Sequence, residues 1–148
     1  MDVLNKQSLD PVTFEVLKNS FITSVDQMAE RMLRTCYSFV IYNRDFSNGL
    51  HDAEGNSVAQ GNQDIAVHVG TLHYTCKNVL RYFEGEMLPG DVYAINDPYA
   101  GGTHFPDVRL VRPIFDDDAL IGFSQSNGHW TDLGGTVPGS FDVMSREM

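Results

Sequence analysis

The sequence predicts an α+β fold, in which a long N-terminal helix and a second helix pack on an antiparallel or mixed β-sheet, and three observations predict it. Apolar residues recur at steps of three and four from Phe14 to Cys36, which is a helical period. A second run of that period covers Leu72 to Phe83. Around these runs lie short aromatic and β-branched segments separated by Gly, Pro, Asn and Asp, the punctuation of strands and turns.

Asp10 and Pro11 open the first helix, an oxygen acceptor followed by a ring whose fixed φ suits the first helical position. The stripe Phe14, Leu17, Phe21, Val25, Met28, Met32 and Cys36 carries it to about Tyr37. The period then changes. Ser38 to Tyr42 and Gly49 to Asp52 read as strands, and Asp52-Ala53-Glu54-Gly55-Asn56 is a turn into a further strand, Ser57 to Gln60. The second helix starts at Gly70 or Thr71 and ends before Gly85, with Leu72, Cys76, Val79, Leu80 and Phe83 on one face. Pro89-Gly90 is a turn and Val92 to Asn96 a strand. Val108 to Phe115 and Leu120 to Ser126 form a hairpin about Asp116-Asp117-Asp118. No repeat or linker interrupts the chain, so residues 1–148 read as a single unit. From Gly128 to the end the sequence is glycine-rich loop chemistry with no capping element, the pattern of a truncated domain.

The 148 residues carry 10 Lys and Arg against 20 Asp and Glu, and the net charge of -10 argues against a nucleic-acid binder. At 42% hydrophobic and 20% charged the composition is that of a globular domain. The longest apolar runs fall far short of the roughly 20 residues that cross a bilayer. MDVLNKQSLD has no apolar signal core. Together these features imply a soluble, cytoplasmic protein without membrane attachment. Cys36 and Cys76 lie in helical segments with no CxxC spacing, which fits reduced, packed thiols.

Two glycine-containing loops, each next to a strand, concentrate imidazole and carboxylate. One runs from Asn96 to Asp107 and includes His104-Phe105-Pro106-Asp107; the other, Ser126 to Gly135, includes His129-Trp130-Thr131-Asp132. Both contain His-x-x-Asp. Imidazole and carboxylate are the donors that suit Zn, Mn or Fe in an open coordination shell. A hairpin between residues 107 and 129 brings the two loops to one end of a sheet. His104, Asp107 and His129 are therefore candidate ligands of a divalent metal. Asp132 is a candidate catalytic residue that orients a histidine, completes the ligand set or accepts a proton. On spacing alone the same residues also suit loop-capping aspartates and solvent-facing histidines. His68, at the entrance to the second helix, reads as structural, and Arg44-Asp45 as a surface turn with a local ion pair. GxxxxGK[ST], GxGxxG and GxSxG are all missing, which leaves nucleotide binding by this chain and acyl transfer through serine unsupported.

Five segments in order resemble the hydantoinase B/oxoprolinase family: Asp10 to Val16, Arg44 to Ser47, Gln60 to Gly70, Asn96 to Asp107 and His129 to Ser140. The resemblance implies a B-type subunit of an ATP-dependent enzyme. Hydrolysis of a cyclic amide, hydantoin or 5-oxoproline in type, is the first expectation; carboxylation of a ketone, as in acetone and acetophenone carboxylases, is the alternative. It also implies an A-type partner subunit with an actin-like fold that binds ATP, and a small-molecule substrate, so that ATP acts through the partner. In the carboxylase relatives the metal ligands match His104, Asp107 and His129. Family chains are several times longer, so the resemblance further implies an N-terminal portion, which as an isolated chain could equally be an inactive interaction module.

Overall fold

The computed structural model describes residues 9–140 and 142–144. The residues before 9, most of the segment read as lacking a signal core, lie outside that range, as does the extreme C-terminus. Among the described residues, no helix is long and apolar enough to cross a membrane.

Helix α1, Pro11–Thr35, starts where its cap predicts: Asp10 Oδ1 accepts the backbone N–H of Val12 and Thr13, both at 3.0 Å. These bonds satisfy two of the donors that a helix start leaves orphaned. At 25 residues it is about 37 Å long. Its apolar stripe is only half used. Val25 and Ala29 are fully buried, whereas Phe14, Leu17 and Phe21 are exposed, so the N-terminal half of the stripe has little of the fold packed against it.

A one-turn helix α2, Phe39–Tyr42, follows where strand chemistry predicts an extended segment. Ser38 overrides the β-branched pattern: its Oγ caps the N–H of Ile41 at 3.3 Å, and Ile41 packs with Ala29 and Phe46. Strands β1, Phe46–Asp52, and β2, Ser57–Gln60, are joined by a turn in which Asp52 Oδ1 accepts from Asn56 N at 2.7 Å. Helices α3, Ala66–Val69, and α4, Leu72–Tyr82, come next. Strand β3, Tyr93–Ile95, leads through a short 3-10 turn, Pro98–Ala100, to the hairpin of β4, Asp107–Asp116, and β5, Ala119–His129.

The sheet order is β2-β1-β5-β4-β3, and every neighbouring pair is antiparallel. Two small cores flank it. Cys76 and Val79 of α4 meet Val111 and Phe123 on one face, and Ala29 and Ile41 meet Phe46 on the other. Each buried Phe of this kind stabilises the fold by roughly 1.5–3 kcal/mol. Both cysteines are free thiols, Cys76 buried and Cys36 partly so. The α4 face of the sheet grades from apolar at Val111 and Phe123, through Gln125, Arg109 and Asn127, to Asp107 and His129 at one end.

Candidate metal centre

Strand β5 lies between β1 and β4, so three chain segments meet where β5 ends. Asp107, the first residue of β4, is the register partner of His129, the last of β5. On the other side Phe46 pairs with Gly128, and His129 N–H donates to the Asp45 carbonyl at 3.1 Å. Trp130 N–H then closes the end by donating to the Pro106 carbonyl at 2.8 Å.

His104 arrives on the loop between β3 and β4. Asp97 caps the 3-10 turn through Tyr99 N–H at 2.8 Å, and Gly101 follows with φ 98°. A Cβ at Gly101 would lie 2.7 Å from Thr75 N, so α4 can approach this closely only because the residue is glycine. Arg109 fastens the same loop from below. It is fully buried, and its Nη1 donates to the Gly101 carbonyl, to Thr71 O at 3.1 Å and to Thr75 Oγ1 at 2.6 Å, while Nη2 donates to Thr71 Oγ1 at 2.7 Å. Burial lowers the affinity of this guanidinium for its proton and the nearby Asp107 charge opposes the shift; an arginine remains charged under both influences.

Asp107 is the centre of the cluster and is fully buried. Its Oδ2 accepts from Thr103 Oγ1 and lies 2.9 Å from His104 Nδ1 and 3.2 Å from His68 Nε2. Burial pushes this carboxyl up, but the hydrogen bonds and charges of His68 and His104 outweigh it and hold the group below the usual carboxylate range. The rings of His104 and His129 lie 4.9 Å apart at 51°. The structure thus brings His104, Asp107 and His129 to one place. Among the described residues, however, the trio whose ligand atoms all lie within 4.8 Å of one another is Asp45, His68 and Asp107.

Asp45 and His68 escaped selection by sequence. Asp45 stands between Arg44, whose φ of 68° turns the chain, and β1; Arg44 itself binds Gln63 Oε1 at 2.5 Å rather than Asp45. Both residues lie in segments that resemble the family, and that was the signal available. Asp132 occupies a turn of its own. Its carboxylate accepts from Gly134 N at 2.7 Å, Gly139 N at 3.0 Å and Ser140 Oγ at 3.1 Å, and these bonds hold it below the usual carboxylate range.

The donor set fits a divalent cation. Among the described residues, buried Asp107 Oδ1 has no hydrogen-bond partner, a costly state for a carboxylate oxygen that a coordinated cation would relieve. Mixed imidazole and carboxylate donors suit Zn, Mn or Fe.

Fold and cluster together define an α+β domain with imidazoles and carboxylates gathered at one end of an antiparallel sheet. The chain belongs to the hydantoinase B/oxoprolinase family, whose model matches residues 10–148. It is 34% identical to the 5-oxoprolinase of Saccharomyces cerevisiae over 142 residues, covering 95% of this chain and 11% of that protein. It is 33% identical to the caprolactamase β subunit of Pseudomonas jessenii, covering 95% and 24%. The crystal structure of that ATP-dependent caprolactamase matches with a TM-score of 0.78 and 31% identity, over 89% of this chain and 23% of that one. Nucleotide-free acetone carboxylase matches with the same TM-score at 25% identity, over 88% and 18%. The chain therefore spans 11% to 25% of the length of the curated relatives it matches.

Proposed function

We propose that this chain is the metal-binding part of a B-type subunit in the ATP-dependent hydrolysis of a cyclic amide of hydantoin or 5-oxoproline type. The observation that carries the reading is the buried, unpartnered Asp107 Oδ1 amid Asp45, His68 and His104. His104, Asp107 and His129 are the proposed ligands, and Asp45 is added as a further carboxylate donor. A bound divalent cation supplies a Lewis acid for the amide oxygen or a water of lowered pKa.

The chain's own residues prepare that chemistry. Asp107 is held from three sides, so its free oxygen needs little reorganisation to meet a charge. The His104 side chain is 42% exposed and marks the side from which substrate enters. Asp132 stays a candidate to orient a histidine, complete the ligand set or accept a proton, although its hydrogen bonds go to Gly134, Gly139 and Ser140 in the turn after His129 and not to a histidine.

ATP is assigned to an A-type partner subunit, in keeping with the missing phosphate loop and with the caprolactamase relative, a β subunit of an ATP-dependent enzyme. The composition and the lack of an apolar span support a cytoplasmic setting. The likeness to acetone carboxylase favours ketone carboxylation as the second reading.

The test combines the chain, within its complete B-type polypeptide and with an A-type partner, with ATP and either cyclic amides or a ketone plus bicarbonate. Ring-opened product that forms with ATP and disappears in Asp107→Asn is the expected result. Carboxylated ketone alone selects the second reading, and no product from either substrate class overturns both.

A further inference from the structure

We propose that His68 is a positioning residue of this centre: its Nε2–H donates to Asp107 Oδ2 and turns Oδ1 toward the cation, while Asn127 faces the ring nitrogen that carries no hydrogen. The inference rests on the metal reading above and assigns His68 the part of a hydrogen-bond donor, not a ligand.

The ring is held from every side. His68 belongs to α3, is 1% exposed, and has its carbonyl bound by Thr71 N and Thr71 Oγ1, both at 2.9 Å. Asn127 Nδ2, on the facing sheet surface, lies 2.9 Å from Nδ1 and 3.4 Å from Nε2, so Nδ1 is its nearer partner; Ser47 Oγ lies 3.0 Å from Nδ1 and donates its own hydrogen to the Phe46 carbonyl at 2.8 Å. An amide NH2 can only donate, so Nδ1 presents its lone pair. The single ring hydrogen of the neutral imidazole then sits on Nε2, 3.2 Å from Asp107 Oδ2 and 3.9 Å from Asp45 Oδ1. An ionised carboxylate can only accept, so a hydrogen on Nε2 is the arrangement that suits its 3.2 Å approach to Asp107 Oδ2.

Turning the Asn127 amide over would offer Oδ1 to a hydrogen on Nδ1. It would also leave the Nε2 lone pair facing the Asp107 carboxylate, so the carboxylate decides the tautomer. A nitrogen that carries hydrogen has no lone pair for a metal. Donors of this kind orient ligating carboxylates, and losing one typically costs about 10–100-fold in metal affinity.

The experiment uses the full chain and measures Zn2+ affinity by chelator competition, the visible spectrum of the Co2+ form, and the 15N resonances of the His68 ring with and without Zn2+. His68→Leu removes the donor and is expected to bind Zn2+ about 10–100-fold more weakly. His68→Gln places an amide N–H near the Nε2 position and is expected to stay within a few-fold of wild type, with the wild-type Co2+ spectrum. In the wild-type chain the Nε2 hydrogen is expected to persist when Zn2+ binds, a result independent of how any variant folds.

Loss of that hydrogen on binding, or a His68→Gln chain that loses affinity as far as His129→Ala with an altered Co2+ spectrum, makes His68 a ligand and overturns the proposal. Unchanged affinity in His68→Leu overturns it as well, leaving a packing role. A wild-type chain that binds neither cation removes the metal reading itself, and the His68 assignment falls with it.

Discussion

Replacing His51 with leucine tests how the sheet pays for a buried imidazole, because the wild-type chain conceals that cost. His51 lies in β1 and is 3% exposed, and among the described residues neither ring nitrogen forms a well-aligned hydrogen bond. Burial and the neighbouring His73 push its pKa down to about 4 from 6.5, against the weaker pull of Asp52 and the Gly55 backbone. The folded pKa lies below the unfolded one, so the unfolded chain binds the proton more tightly. The stabilising contribution is complete above pH 6.5 and is lost as the pH falls toward 4, a change of about 3 kcal/mol.

Asp64 runs the opposite way. Burial raises its pKa to about 6 from 3.8, although Asn48 N–H and Gly61 N–H hold the ionised form at 3.1 Å each. Its contribution is complete below pH 3.8 and lost as the pH rises through 6, by at most about 3 kcal/mol and less after solvent screening of this half-buried group. The two oppose each other across that window, so these groups flatten the wild-type profile. His51→Leu should gain about 3 kcal/mol on wild type between pH 7 and pH 4, read from urea midpoints at constant m. Asp64→Asn should lose a smaller amount over the same range, because Asp64 is only half buried. A His51→Leu profile that stays parallel to wild type within about 0.5 kcal/mol refutes the argument.

Other perturbations probe the support under the cluster. Gly101→Ala combines a positive φ with a Cβ 2.7 Å from Thr75 N, and should destabilise the chain by about 2–3 kcal/mol in urea titration while weakening cation binding through the displaced His104 loop. Arg109→Met removes the guanidinium bonds to the Thr71 and Gly101 carbonyls and to the Thr71 and Thr75 hydroxyls and should cost about 1–3 kcal/mol, with Arg109→Lys recovering only part because it lacks the planar fork. Equal stability of the methionine variant and wild type would show that the buried guanidinium does not fasten the loop.

Local pattern made much of this molecule readable. The hairpin of β4 and β5 followed from alternation about Asp116-Asp117-Asp118, and with it the meeting of the two His-x-x-Asp loops, seen in the Asp107 to His129 register. Asp45 and His68 were hidden because they reach the site through the pairing of β1 with β5 and the docking of α3, both long-range contacts with no local periodicity. Ser38 to Tyr42 misled because a single hydroxyl cap and the packing of Ile41 outweighed β propensity over five residues. The apolar stripe of α1 gave the helix but not its surroundings, since periodicity identifies an apolar face without saying what covers it.

The most direct measurement is the cation content of the purified 148-residue chain after dialysis against Zn2+, Mn2+ or Fe2+, beside Asp107→Asn and His129→Ala. About one ion per wild-type chain and a clear loss in both variants are expected. A folded wild-type chain that retains no ion, or an Asp107→Asn chain that retains as much as wild type, would contradict it.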